Sequence, residues 1–439
     1  MLKIRLRGAF LALALPLLGT IGLSFDAIAQ SNPRYIRFSP GEVKGALYTP
    51  DSGPTSRVGI LVAHRNSNYL NHMSTVELSK RGFMVLGLNT RFDNNEALVN
   101  WEKIVLDIKT GVEFLKKQPG IEKVVLIASS GGGPLMTYYQ AVAEKGPGYC
   151  KGDNKLTQCT DEVAGLPPAD GIVLFDAHPG NTVNVLRALN PAVLDEADPR
   201  KIDPALDPFN PANGFNPNGK SVYSADFKAR FFKGQSDRMN RLIAKAQKTR
   251  QEMAAGQHMP ADDDAFIVYR NAARMEELDT DVYCCTEKPQ KLLKNDASID
   301  ASQIVRSVRL PNPKNAQRDG RFDDTRIATL TSFLSTNAIK STNSFDGIDW
   351  CSSNNSVPCA LKQISVPLLF TAMGAHYFIR DNELAYEAAV SKDKDFIVIE
   401  GAEHRSTPCK ACAAANNASY DNSTKNAFDY IANWIKARY

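Results

Sequence analysis

The sequence predicts an α/β chain built on a doubly wound, mostly parallel sheet. Three observations carry that expectation. Short aliphatic runs alternate with stretches of helical periodicity over residues 57–180, and the alternation returns over residues 366–436. The run Val-Val-Leu-Ile at 124–127 ends at Ala128 and a helical pattern resumes near Leu135, with two serines and three glycines between them. The composition, 439 residues with 43% hydrophobic and 23% charged, is globular and has room for a sheet of about eight strands.

Residues 1–29 are expected to lie outside that fold. Lys3, Arg5 and Arg7 give a basic start, residues 9–23 are apolar but broken by Pro16 and Gly19, and Ala27-Ile28-Ala29 is a small-x-small cleavage site. This is the pattern of a secretory signal peptide, so a periplasmic or secreted protein is expected. No later stretch stays apolar for about 18 residues, so no membrane anchor is expected after cleavage. The net charge is +4, and Lys3, Arg5 and Arg7 against Asp26 account for half of it. The remainder is nearly neutral, without basic runs interleaved with aromatics, so nucleic acid is not an expected partner.

Eight cysteines in polar, loop-like surroundings fit disulfides in an exported chain. Cys150 with Cys159, and Cys351 with Cys359, bracket loops that can turn back and are expected to bond. Cys409 and Cys412 are expected to bond to each other or to Cys284 or Cys285. The Cys-x-x-Cys lies in a loop rich in Ala and Asn, which disfavours a redox motif, and a zinc site lacks a second spaced pair.

In chain order, residues 34–38 and 43–49 read as two short strands around Pro40-Gly41, an antiparallel start to the sheet. Residues 57–63 form a buried strand that ends in His64-Arg65-Asn66-Ser67-Asn68-Tyr69. A helix at 70–80, a strand at 83–88 and a helix at 100–117 follow, the last with Ile104, Ile108, Val112 and Leu115 at helical spacing and Pro119-Gly120 after it. The strand at 124–127 leads into a helix to about residue 144, and the strand at 171–175 ends in Asp176-Ala177-His178. The alternation then lapses. Residues 223–256 read as a helix with Phe227, Phe231, Met239, Leu242 and Ile243 on one face, and 261–280 and 326–334 as further helices. Residues 181–350 are therefore expected to be a mainly helical insertion, leaving 30–180 and 351–439 as the core. Strands at 366–371 and 396–400, a helix at 383–391 and a closing helix at 424–436 complete the core.

A sharp strand-to-helix turn strains the residue at its apex and requires small residues two before and two after it, where the backbones nearly touch. Ser130 has Ala128 and Gly132 there; Ser129 would have Ile127, which is too large. Ser130 is therefore the apex. No Gly-x-x-x-x-Gly-Lys-Ser/Thr is present, so the glycines do not make a P-loop. A serine hydroxyl needs a base within hydrogen-bond reach, and the base needs an orienting acid. In doubly wound sheets such groups collect beyond the carboxyl ends of the strands, where His64, Ser130 and Asp176 all fall.

The Ala128-x-Ser130-x-Gly132 turn, together with Gly401-Ala402-Glu403-His404 after the last strand, resembles the α/β-hydrolase family over most of residues 34–180 and 360–439. Ala128 in place of the family's first glycine is a mild departure. The resemblance implies Ser130 as nucleophile and His404 as base, with an acid between them in chain order. The family usually places that acid after the strand at 366–371, but Met373-Gly374-Ala375-His376-Tyr377-Phe378 has no carboxylate. Asp381 and Glu383 come next, in what reads as the first turn of a helix, where acids complement the helix dipole. Some lipases of the family carry the acid one strand earlier, and Asp176 ends that strand. Asp176 is therefore the expected acid, with Asp381 and Glu383 as alternatives. For the oxyanion, the resemblance implies the N–H of Gly131 and a second donor at Asn66, since His64-Arg65-Asn66 is similar to the family's His-Gly-x turn with Arg65 replacing the glycine. His64 itself reads as a hydrogen-bonded scaffold residue. The insertion stands where the family commonly carries a cap.

The function so implied is an exported serine hydrolase acting on small carboxylic esters through an acyl-enzyme. An acyl transferase or peptidase on the same fold, or a non-catalytic binding protein that kept the fold, remain as alternatives. No cofactor is expected. His64, His178 and His376 cluster near strand ends, but no His-Glu-x-x-His and no His pair at helical ligand spacing is present, so no metal is expected. No motif speaks to oligomeric state.

Overall fold

In a computed structural model of the chain, residues 32–39, 41–50, 56–260, 262–313 and 325–439 are described; the segment 1–29, expected to be a signal peptide, lies outside them. Strands β1 (Arg34–Arg37) and β2 (Lys44–Tyr48) pair antiparallel, and β2 runs antiparallel to β4 (Met84–Asn89). From β4 onward the sheet is parallel, through β3 (Val58–His64), β5 (Lys123–Ser129), β6 (Gly171–Phe175), β11 (Leu368–Met373) and β12 (Lys394–Ile399). These eight strands are the expected core.

The sheet continues further than the sequence pattern indicates. β8 (Gln290–Leu293) pairs parallel with β12, and β9 (Ile299–Gln303) pairs antiparallel with β8, for ten strands in all. Both lie inside the segment expected to be a helical insertion. Their sequences, Gln-Lys-Leu-Leu and Ile-Asp-Ala-Ser-Gln, are half-exposed at the sheet edge, so they carry no aliphatic run to announce them. The helices expected over 261–280 and 326–334 are also corrected. β7 (Ala265–Val268) and β10 (Arg326–Thr329) form a separate antiparallel ribbon, and helix is confined to the short turns Met275–Leu278 and Leu330–Ser332, the latter running into a wider turn at Phe333–Asn337. β7 alternates exposed and buried residues, but a period of two over so short a strand is easily masked by its polar neighbours.

Alternate side chains of β5 serve opposite faces. Val124, Leu126 and Ala128 pack with α2 (Trp101–Lys116) and α3 (Gly132–Lys145), whereas Val125 and Ile127 pack with α1 (Met73–Ser79) and the closing helix Ser423–Lys436. Burying both faces is what demands a continuous aliphatic run, each such side chain contributing roughly 1.5–3 kcal/mol. Within the insertion, α4 (Asn181–Ala188) and α5 (Ala225–Ala254) build a core of their own from Val183, Leu186, Met239, Leu242 and Ile243, closed by Phe333.

All eight cysteines are paired: Cys150–Cys159, Cys351–Cys359, Cys409–Cys412 and the adjacent Cys284–Cys285. No helix among the described residues is long and apolar enough to cross a membrane.

Candidate active site

β5 ends at Ser129, and α3 starts at Gly132. Ser130 between them has φ +52°, a left-handed backbone that a non-glycine residue holds only when its surroundings impose it. The surroundings do. A Cβ on Gly132 would lie 2.4 Å from the Ala63 carbonyl oxygen, and one on Gly131 would lie 2.4 Å from His64 Nε2. Glycine at these positions lets β3 and α3 close around the turn, and the Ser130 N–H is fixed to the Phe175 carbonyl at 3.2 Å.

The loop after β12 brings His404 to this apex. His404 Nδ1 lies 2.6 Å from Asp176 Oδ2, and His404 Nε2 lies 2.9 Å from Ser130 Oγ. The carboxylate can only accept from Nδ1, which assigns the proton to Nδ1 and leaves Nε2 free to accept from the serine hydroxyl. The loop is restrained by the Cys409–Cys412 bond, and Ser423 and Thr424 hydroxyls hold the Ser406 carbonyl at 2.9 and 2.8 Å.

Asp176 follows β6 with φ +43° and is fully buried. Its N–H donates to the Thr371 carbonyl at 2.7 Å and its Oδ1 accepts from the Met373 N–H at 3.2 Å, so β11 fixes it from the side. Burial alone would raise its carboxyl; the imidazoles of His376 and His404 more than reverse this and hold it down at about 2. His376 Nδ1 lies 2.9 Å from the same Oδ2, but off the hydrogen-bonding direction, and its ring stacks on His404 at 4.4 Å. Burial pushes His376 down to about 4, so it stands beside Asp176 as a neutral ring at neutral pH. Sequence reasoning noticed His376 only as one of several histidines near strand ends; its place in the loop where the family usually carries the acid is the signal that could have found it.

The alternative acids are used elsewhere. Both carboxylate oxygens of Asp381 accept from Arg187 Nη1, at 2.9 and 3.0 Å, with both side chains buried. Glu383 accepts the N–H groups of Glu287 and Lys288 at 2.7 and 3.1 Å and pairs with Arg380 at 2.7 Å. Neither is joined to His404 by a hydrogen bond or ion pair among the described residues.

Asn66, the expected second oxyanion donor, is also engaged elsewhere. Its backbone N–H donates to His64 Nδ1 at 3.3 Å, and its side-chain amide donates to Glu96. The Ser67 N–H donates to the same His64 Nδ1 at 3.1 Å. Arg65, which stands where the family has glycine, meets the same acid as the Asn66 amide: its guanidinium reaches Glu96 with both contacts at 3.0 Å. His64 is thus the scaffold residue expected, and its orientation has a consequence. With Nδ1 accepting twice, its proton is assigned to Nε2, the atom that packs against Gly131 and that has Arg65 Nη1 3.5 Å away. Burial and the Arg65 charge push His64 well down, so it is neutral. No hydrogen bond from the Gly131 N–H to another described residue is found.

Among the described residues, Asp176, His376 and His404 form one group whose ligand atoms lie within 4.8 Å of one another, close enough for a metal ion. Two of those atoms already share a hydrogen bond, and Ser130 occupies the outer nitrogen of His404, an arrangement suited to moving a proton.

No family model and no curated protein matches the chain. Solved structures are similar to it: a highly thermostable carboxyl esterase from Bacillus coagulans (10% identity, 92% of this chain and 97% of the other, TM-score 0.40); brefeldin A esterase, described as a bacterial homologue of human hormone sensitive lipase (9%, 97% and 79%, 0.41); and a proline iminopeptidase from Mycobacterium smegmatis (11%, 92% and 98%, 0.39). The chain has the α/β-hydrolase fold. The strand order and the turn between β5 and α3 carry that fold.

Proposed function

We propose that this chain is an exported serine hydrolase that cleaves carboxylic esters through an acyl-enzyme. The observation that carries this reading is the unbroken relay Ser130 Oγ, His404, Asp176, with contacts of 2.9 and 2.6 Å. In the proposed reaction Ser130 Oγ attacks the ester carbonyl as His404 Nε2 takes its proton. Asp176 holds the imidazole in the required tautomer and faces the imidazolium that forms. His404 returns the proton to the departing alcohol, and water then releases the acid by the same steps in reverse order. The Gly131 N–H is one oxyanion donor. His64 Nε2–H replaces Asn66 as the second, because two backbone N–H groups on Nδ1 favour the Nε2–H tautomer and burial keeps the ring neutral. Residues 181–289 and 325–350, which share a separate core closed by Phe333, are proposed as the cap. Export is supported by the basic-apolar-small pattern at 1–29 and by the pairing of every cysteine.

A fluorophosphonate probe tests the reading. Wild type and Ser129→Ala are expected to label and Ser130→Ala is not; labelling that survives Ser130→Ala would overturn it. His64→Ala is expected to lower kcat about 10²–10³-fold with KM nearly unchanged. A kcat within threefold of wild type would place the second donor elsewhere.

A further inference from the structure

A cavity of about 490 Å³ opens over Ser130 and His404. Its lining is polar but almost uncharged. Ser67, Asn68, Asn71 and Thr407 supply hydroxyl and amide groups, and Tyr69 and Met73 supply the apolar part. Arg405, the residue after the proposed base, brings a permanent positive charge to it, and among the described residues no carboxylate lines the cavity. Two of its histidines do not add to that charge: burial pushes His64 well down, and burial, and then the Arg405 charge, push His72 down to about 4. The field of Arg405 therefore reaches into the cavity.

Arg405 is exposed, and no ion pair or hydrogen bond of its guanidinium is found among the described residues. The nearest acid in sequence, Glu403, takes the Thr407 hydroxyl at 3.3 Å. A neighbouring cavity of about 310 Å³ offers a contrast. Three arginines line it, but Arg65 and Arg326 share Glu96 at 3.0 and 2.8 Å, and Arg274 donates to the Asn184 carbonyl at 3.1 Å. Those cations are answered from within the protein. Arg405 has a planar donor fork that matches a carboxylate, and it stands at a cavity that reaches the nucleophile, with no acid among the described residues to meet it.

We propose that the Ser130 cavity selects esters that carry a carboxylate, and that Arg405 is the residue that reads it. The proposal rests on the hydrolase reading above and adds the substrate class. Hydroxyl and amide groups in the lining favour a short polar chain between ester and carboxylate over a long aliphatic one. Arg405 does no chemistry; its contribution is to binding, so it should act through KM.

The test compares matched reagents that differ only in charge. One pair is the p-nitrophenyl ester of adipic acid with its second carboxyl free or methylated, which places the charge on the acyl side. The other is 4-acetoxybenzoate and its methyl ester, which places it on the alcohol side. A fluorophosphonate with a terminal carboxylate, and its methyl ester, read binding without turnover. In wild type the charged member of at least one ester pair is expected to have a kcat/KM about tenfold higher, expressed in KM, and the charged probe to label faster. Arg405→Gln should remove that preference while leaving the neutral members within about twofold, and 0.5 M salt should reduce it in wild type because Arg405 is exposed. Arg405→Lys should retain part of it. Labelling of Ser130 with no charge preference, or a preference that Arg405→Gln leaves intact, overturns the carboxylate proposal alone. No labelling by either probe and no turnover of any ester overturns the hydrolase reading and this proposal with it.

Discussion

The loops after β6 and β11 lie side by side, because the two strands are paired with Phe175 opposite Thr371. The first offers Asp176 and the helix that follows the second, Ile379–Ala388, offers Asp381 and Glu383, yet these carboxylates are put to different uses. After β6, Asp176 is fully buried with one oxygen against the Met373 N–H and the other against His404. After β11, Asp381 and Glu383 are equally buried, but Arg187, Arg380 and two backbone N–H groups consume them. A buried carboxylate must be compensated, and what compensates it decides what it can do. Guanidinium and backbone partners stay where they are and hold the structure, whereas an imidazole that also faces a serine can move a proton.

The largest effect that separates the two loops is on rate. Asp176→Asn is expected to lower kcat for ester hydrolysis by about 10⁴-fold, because an amide NH₂ facing His404 Nδ1 selects the wrong tautomer. Circular dichroism and thermal midpoint should stay close to wild type. A kcat within tenfold of wild type would erase the contrast between the loops.

The second effect inverts the first. Asp381→Asn leaves Arg187 without its carboxylate partner, buried between the rings of Tyr283 and Phe345 at 4.7 and 4.2 Å. It is expected to cost about 3 kcal/mol or more of unfolding free energy, and Glu383→Gln somewhat less, with kcat of the folded fraction within a few-fold of wild type. Denaturant titration beside active-site-titrated kinetics measures both. A rate collapse in either variant at unchanged stability would move the acid to the later loop.

A smaller effect concerns His376, the ring that the β11 loop contributes to Asp176. Burial lowers it to about 4, so between about pH 6.5 and 4 the unfolded chain takes up a proton that the folded chain refuses. Folding stability must then fall as pH falls through that window. Removing the group with His376→Asn should flatten the pH dependence of unfolding free energy between pH 7 and 4.5 by about 2–3 kcal/mol. An unchanged slope would show that His376 does not titrate differently in the two states.

The sequence by itself determined the parallel core and the apex serine. Strands buried on both faces must be aliphatic throughout, so β3 to β6, β11 and β12 announce themselves, and the steric demand of the turn distinguishes Ser130 from Ser129 by its flanks alone. His404 was legible from its place after the last strand, and Asp176 was preferred over Asp381 and Glu383 because it ends a strand rather than opening a helix. Only the tertiary structure decided the rest. The edge strands β8 and β9 are half-exposed and need no apolar run, so nothing local marks them. Asn66 and Arg65 both meet Glu96, some thirty residues away in the chain, while the Asn66 and Ser67 N–H groups hold His64 by its Nδ1. His376 and Arg405 acquire their surroundings only when the loops after β11 and β12 meet. Local pattern reports which residues must be buried; which charges answer one another is settled between segments distant in sequence, and it is those pairings that shape the site.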